Sequence, residues 1–187
     1  MAKGDKRVIL GSGKLYVAEA TFTNGVPTIP EDSVLEIETN RIGDIQGGAS
    51  LSYKPEFYEC EDDLGLVKKQ FLTKEEVTLK SGIMTWNTAT LKKLCSTATV
   101  AEDSVKHTRT VKIGGVGNQD GKSYVIRFLH EDAVNGNLRV TIVGSNQSGF
   151  EMAFAKDKES VINAEFKAIP SDATGTLVIV SEDTSAV

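Results

Sequence analysis

Turn signals punctuate this chain at short intervals, and between them apolar and polar residues alternate with a period of two. That period suits strands, whose side chains point to opposite faces in turn, and it does not suit a helix. Residues 14–20 (KLYVAEA) read as a first strand, ended by Asn24-Gly25 and Pro27. Residues 24–33 read as loop, and 34–39 (VLEIET) as a second alternating run. The pattern changes once, after Trp86. There Asn87 or Thr88 can cap a short helix whose Leu91, Leu94, Cys95 and Ala98 share one face.

Beyond the helix the strands resume. Runs 107–113 and 122–131 flank a glycine-rich loop, 114–121, and its Asp120-Gly121 pair predicts a hairpin joining them. Asn135-Gly136 predicts a hairpin between 122–131 and 138–143. Residues 150–155 form a further run, and 161–169 is expected to pair with 176–181 across 170–175. The sum is an all-β chain of about nine or ten strands with one flanking α-helix, a sandwich or barrel. At 187 residues it reads as a single domain, 1–187.

Composition narrows the function classes. A net charge of -5 argues against nucleic-acid binding as the main task, because phosphate contacts want a basic surface. No apolar run approaches the roughly 18 residues of a membrane span. The start, MAKGDKRVIL, lacks the apolar stretch of a signal peptide, so a cytoplasmic chain is expected. Two cysteines, Cys60 and Cys95, make no disulfide framework.

Motifs for chemistry fail on inspection. Gly11-Ser12-Gly13-Lys14 has Val8 where a phosphate loop needs glycine and Leu15 where it needs Ser or Thr, and a strand follows it. His107 and His130 would lie nearly opposite each other in a hairpin about residue 119, near Glu131 and Asp132. A metal site is conceivable there, but nothing else converges to complete the ligand set. No nucleophile elbow is present, and Cys95 belongs to an apolar helix face. The expectation is no catalytic residue, no bound cofactor and no metal.

Two features suggest assembly. Residues 122–131 carry Tyr124, Ile126 and Phe128 on one side and Val125 and Leu129 on the other, with Arg127 among them. Either elements of the same chain, the helix among them, or a neighbouring subunit must cover the second face. By contrast Asn163, Glu165 and Lys167 make a polar face within 161–168, suited to water or a lumen. The second feature is a long arm at about 47–80, acidic at Glu59, Glu61, Asp62 and Asp63 and basic at Lys68 and Lys69 across Gly65. A solvated hairpin tip explains such charges. So would contact with a neighbour, where opposite patches set register head to tail.

Residues Val8-Ile9-Leu10-Gly11-Ser12-Gly13-Lys14-Leu15-Tyr16-Val17, then Ile42-Gly43-Asp44-Ile45 and Gly47-Gly48-Ala49-Ser50-Leu51, resemble the bacteriophage major tail (tail tube) protein family. The closing Ala164-Glu165-Phe166-Lys167-Ala168 and Gly175-Thr176-Leu177-Val178-Ile179 match in style. The resemblance implies a β-sandwich with a helix, assembled into hexameric rings that share strands and stack into a tube. Through that tube DNA passes without specific binding, past a wall that tends to be acidic. It implies virion localisation after assembly in the host bacterial cytoplasm. The implied partners are other copies and further tail proteins (tape measure, tail tip, terminator), with no membrane. The arm becomes the ring-to-ring contact, with Glu59, Glu61, Asp62, Asp63, Lys68 and Lys69 as candidates, and Asn163, Glu165 and Lys167 as lumen candidates. The alternative is a β-sandwich adhesion module of a tail tip or cell surface that recognises carbohydrate. Such a binder would cluster aromatic residues on an exposed face.

Overall fold

The computed structural model describes residues 11–183. Val8, Ile9 and Leu10, where the resemblance begins, lie outside them. The chain is mainly β. In order come β1 (Lys14–Glu19), β2 (Thr21–Thr23), β3 (Val26–Thr28), helix α1 (Asp32–Leu35), β4 (Ile45–Glu61), β5 (Lys68–Ile83) and helix α2 (Thr88–Leu94). There follow β6 (Thr99–Asp103), β7 (Thr108–Lys112), β8 (Tyr124–His130), β9 (Leu138–Asn146), β10 (Ile162–Ile169) and β11 (Ile179–Glu182). An antiparallel sheet runs β1-β8-β9-β10-β5-β4, with β11 also on β9, and β2–β3 and β6–β7 make two small separate hairpins.

Strand β9 makes the sheet fold on itself. One edge pairs with β8 along Leu138–Gly144. The other is divided, with Leu138–Thr141 on β11 and Val143–Asn146 on β10. At Gly144 a Cβ atom would stand 2.0 Å from the Lys167 carbonyl oxygen, so only glycine permits this close crossing. The sheet therefore wraps one core. Its inner face carries Leu15 and Val17, Tyr124 and Ile126, Val140 and Ile142, Ala164 and Phe166, and Val77 and Leu79. Leu91 and Leu94 of α2 close it. The Asn87 side chain caps α2, accepting from the N–H groups of Ala89 (2.8 Å) and Thr90 (3.1 Å). The Thr90 hydroxyl in turn donates to Ile42 O at 3.0 Å and ties the helix to the start of the arm.

The outer face differs from one half of the sheet to the other. Over β1, β8 and β9 it is apolar, and Leu35 of α1, wholly buried, seals Val125 and Val143. Beside them Arg127 and Arg139 reach into the same layer. Arg127 donates to Asp32, to Glu36 (3.1 Å) and to Thr141 (3.0 Å), and Arg139 donates to Glu36 (2.7 Å) and Asp183 (2.5 Å). Both faces of β8 are thus covered inside one chain. Over β10, β5 and β4 the outer face is polar and, among the described residues, has no cover.

Several expectations are corrected. Residues 34–39 are not a strand. Asp32 and Glu36, four apart on one helical turn, both face the arginines, and Asn40 Nδ2 closes the turn on Val34 O and Leu35 O (3.0 and 3.1 Å). Residues 107–113 do not pair with 122–131, because β7 takes β6 as its partner and β8 is already flanked by β1 and β9. The β6–β7 turn is held by Asp103, whose carboxylate accepts from the N–H groups of Val105 and Lys106, both at 3.0 Å. Residues 176–181 do not pair with 161–169, since β5 and β9 occupy both edges of β10. Residues 150–155 form no strand, although Phe150 and Met152 pack on the core. The main helix ends at Leu94, leaving Cys95 half-buried just past its end.

Two outcomes follow. Glu36→Gln removes the carboxylate that Arg127 and Arg139 share while leaving them Asp32 and Asp183, and should lower stability by about 1–2 kcal/mol in urea unfolding. The Tyr124 hydroxyl has its pKa pushed up to about 12, first by burial and then by Asp120 and Glu19. A raised folded pKa means this stability is complete below the unfolded value near 10 and is lost as pH climbs from about 10 to about 12. Tyr124→Phe should therefore lose roughly 2 kcal/mol less than the parent across that window.

Candidate functional site

The arm is a continuous hairpin of two long strands. Gly47 and Gly48, at φ +79° and +74°, form a bulge between the pairs Gln46–Gly82 and Ala49–Ser81, and the arm leaves the core there. A second irregularity at Thr73 lies between the pairs Glu56–Lys74 and Phe57–Leu72. The tip, residues 62–67, is closed by Asp62. Its carboxylate accepts from Val67 N–H at 2.7 Å, and its own N–H donates to Val67 O at 3.1 Å.

Half of the charges proposed for contact with a neighbour are used within the arm. Lys68 pairs with Glu59 at 2.7 Å, and Gln70 donates to the same carboxylate; with Lys68 the larger cause, the Glu59 pKa lies below its usual range. Asp62 is spent on the turn. Among the described residues Glu61, Asp63 and Lys69 make no ion pair. What the arm offers outward is apolar. Phe57 and Leu72 stand opposite each other on one face, Tyr58 and Phe71 on the other, and Leu64 and Leu66 at the tip are 79% and 78% exposed. Sequence reasoning attended to the charges and missed this. The signal was there, because apolar residues fall at consecutive rather than alternate positions at 57–58 and 71–72.

Among the described residues strand β4 is also a bare edge. Met84 N–H donates to Asp44 O (2.8 Å) at its base, and Asp62 N–H to Val67 O at its tip. Even-numbered residues of β4 therefore turn their N–H and C=O groups to β5, and odd-numbered ones turn them outward. Pro55 falls in the outward set, which is why a residue without N–H is tolerated within a long strand. At the opposite end of the sheet β1 is covered instead. Tyr16 bridges Arg41, and Ile42 N–H donates to Leu15 O at 3.0 Å.

Asn163, Glu165 and Lys167 do lie together, on the uncovered outer face. Register sets Asn163 beside Gly82, Glu165 beside Lys80 and Lys167 beside Thr78. Ion pairs lace this face, Lys80 to Glu165 (2.5 Å), Lys167 to Glu76 (2.8 Å) and Lys74 to Glu56 (2.9 Å). With Lys54 it carries four lysines against three glutamates, so it is nearly neutral rather than acidic.

The two histidines are apart in the fold, contrary to the expected hairpin. His107 occupies the β6–β7 turn at φ +51°, whereas His130 is buried with Nδ1 2.9 Å from Ser12 O. Among the described residues no group of three His, Cys, Asp or Glu side chains is placed to hold a metal ion. The open cleft between β1, α2 and β6–β7, about 530 Å³, holds three paired cations, Lys92 with Asp120, Lys122 with Glu19 and Arg109 with Glu102. Its fourth, Lys93, donates to Val17 O at 2.7 Å, and burial lowers its pKa. Lys93 and Lys92 fasten α2 to β1 and to the loop before β8, whereas Arg109 and Glu102 join β7 to β6 within their hairpin. Trp86 packs partly against the core, its Nε1 donating to Ser160 O at 3.3 Å. Among the described residues no helix is long and apolar enough to cross a membrane.

No protein-family model matches the chain, and no curated protein matches it.

The exposed apolar arm should bind an environment-sensitive dye. Phe57→Ser with Leu72→Ser should cut that fluorescence by more than half and shift the thermal midpoint little, since both side chains stand outside the core.

Proposed function

We propose that the chain is a structural subunit of a bacteriophage or phage-derived tail tube. Copies form hexameric rings, and the rings stack into a hollow tube through which the genome passes. The observation that carries this reading is the arm itself, two strands of 17 and 16 residues that run out from the core with apolar groups exposed on both faces. An isolated hairpin of that length is marginal in water. Exposed apolar patches of this kind mark surfaces that bind another protein, and a neighbouring copy would bury them. The bare edge of β4 supports strand sharing within a ring, because a neighbour's strand there would satisfy its outward groups. The uncovered face with Asn163, Glu165 and Lys167 is the candidate lumen wall. Its internally paired charges give DNA phosphate little net attraction.

The contact between rings then rests on Leu64, Leu66, Phe57 and Tyr58 more than on charge. Glu61, Asp63 and Lys69 flank that surface and fix orientation. Assembly takes place in the host cytoplasm, the tube belongs to the virion, and tape measure, tail tip and terminator proteins are its partners.

A second reading has one observation behind it. Tyr53, Phe57, Tyr58 and Phe71 expose an aromatic group on the arm, as a carbohydrate-binding adhesion module would. Electron microscopy of the concentrated chain, with an initiator complex supplied, separates the two. Rings or tubes of uniform diameter are expected. In them Cys60, exposed on the arm of the free chain, should lose reactivity toward a thiol reagent. Leu64→Ser with Leu66→Ser should weaken stacking roughly tenfold or more while the monomer stays folded. Tubes in which Cys60 reacts as in the free chain would remove the arm from the contact. A chain that forms no ring and binds glycan arrays would favour the adhesion module.

A further inference from the structure

The bare edge of β4 is nearly self-complementary, and its centre is Pro55. Two copies of β4 can be laid antiparallel with outward-facing odd residues meeting, the condition for main-chain bonding. With Pro55 opposite Pro55, Lys54 faces Glu56 of the second copy and Glu56 faces its Lys54. Tyr53 and Phe57 face each other in the same way, twice. Opposite charges and aromatic pairs directly across strands are favourable, and no like charges meet. Slipping the register by one residue on each copy sets Lys54 against Lys54 in one direction and Glu56 against Glu56 in the other. Side chains thus favour the Pro55-centred register over its two neighbours. Lys54 and Glu56 are exposed, and among the described residues β4 has no neighbour on this side to block such a pair.

We infer that Pro55 is an assembly guard, keeping two copies of this chain from closing onto each other through their β4 edges. In the selected register the central position is one where each partner both donates and accepts. Pro55 supplies no N–H from either copy, so both central bonds are missing and two carbonyl groups are left facing each other. A two-fold pair of this kind uses the same edge on both partners and is closed, so it would withdraw the edge from any head-to-tail contact. The guard stands independently of the tube reading, because it concerns only what two free copies do.

The test uses the full chain at concentrations where the parent sediments as a monomer. Pro55→Thr restores both central bonds, and it should dimerise about tenfold or more tightly than the parent. Adding Lys54→Glu sets carboxylates against Glu56 at both ends and should return the variant to monomer. Adding Ser50→Cys instead places a thiol opposite Cys60 of the second copy, and oxidised glutathione should then link the dimer covalently. Pro55→Ala, with the far-ultraviolet spectrum and thermal midpoint of each variant, separates association from misfolding. If folded Pro55→Thr and Pro55→Ala chains are as monomeric as the parent, the inference fails. It fails equally if they dimerise but neither respond to Lys54→Glu nor cross-link through Ser50→Cys, since a different surface is then in use. Rings formed alike by parent and variant would leave the tube standing without the guard. A dimerising variant of a parent that never makes rings would leave the guard without the tube.

Discussion

Strands β8 and β9 are buried on both faces, and a strand of that kind must be covered twice. The rest of the molecule follows from meeting this demand within one chain. On the inner side the sheet curls until its own halves and α2 meet over Ile126 and Ile142. On the outer side, among the described residues, a short helical turn does the covering, with Leu35 as its one fully buried apolar residue. One leucine is a small lid. The four charged groups Arg127, Arg139, Asp32 and Glu36 hold it in place, and they also satisfy the arginines that the strands carry into that layer. The demand stops at β10. Beyond it the outer face turns polar, and β4 and β5 are free to run past the core.

What sequence conveyed well was whatever is decided locally. β8 and β9 do pair as Asn135-Gly136 announced, although across the longer loop 131–137, where the Asp132 carboxylate accepts from Val134 and Asn135 N–H and Gly136 sits at φ +86°. Asn87 caps α2 because a side-chain oxygen meets two free N–H groups wherever the chain goes next. The arm was visible because its two runs lie on either side of one glycine-marked tip. What failed was whatever depends on which edges are already taken. Residues 161–169 and 176–181 look like a hairpin, yet β10 has no edge to give. Alternation at 34–39 lost to ion pairs with Arg127 and Arg139, partners about a hundred residues away that no local pattern announces. The β6–β7 hairpin was missed because 99–103 is mostly exposed and too short to display a period.

For the candidate site, the position of the arm and the grouping of Asn163, Glu165 and Lys167 were legible. The character of the arm was not. Charges in a sequence carry no sign of being paired, and only the register of β4 on β5 sets Lys68 beside Glu59 and leaves the aromatic and leucine side chains as the outward chemistry.

The same register orders the making of the molecule. β5 can join β4 as soon as residue 83 exists, because their contacts close outward from a short tip. β1 lies at the other extreme, since Lys14 is matched to Leu129. Closing so long a loop costs more conformational entropy than closing the arm. During synthesis from the N-terminus, β1 has no sheet to join until β8 has been made, whereas the arm is already complete. The arm, with its exposed apolar groups, is therefore the first part of the main sheet able to form.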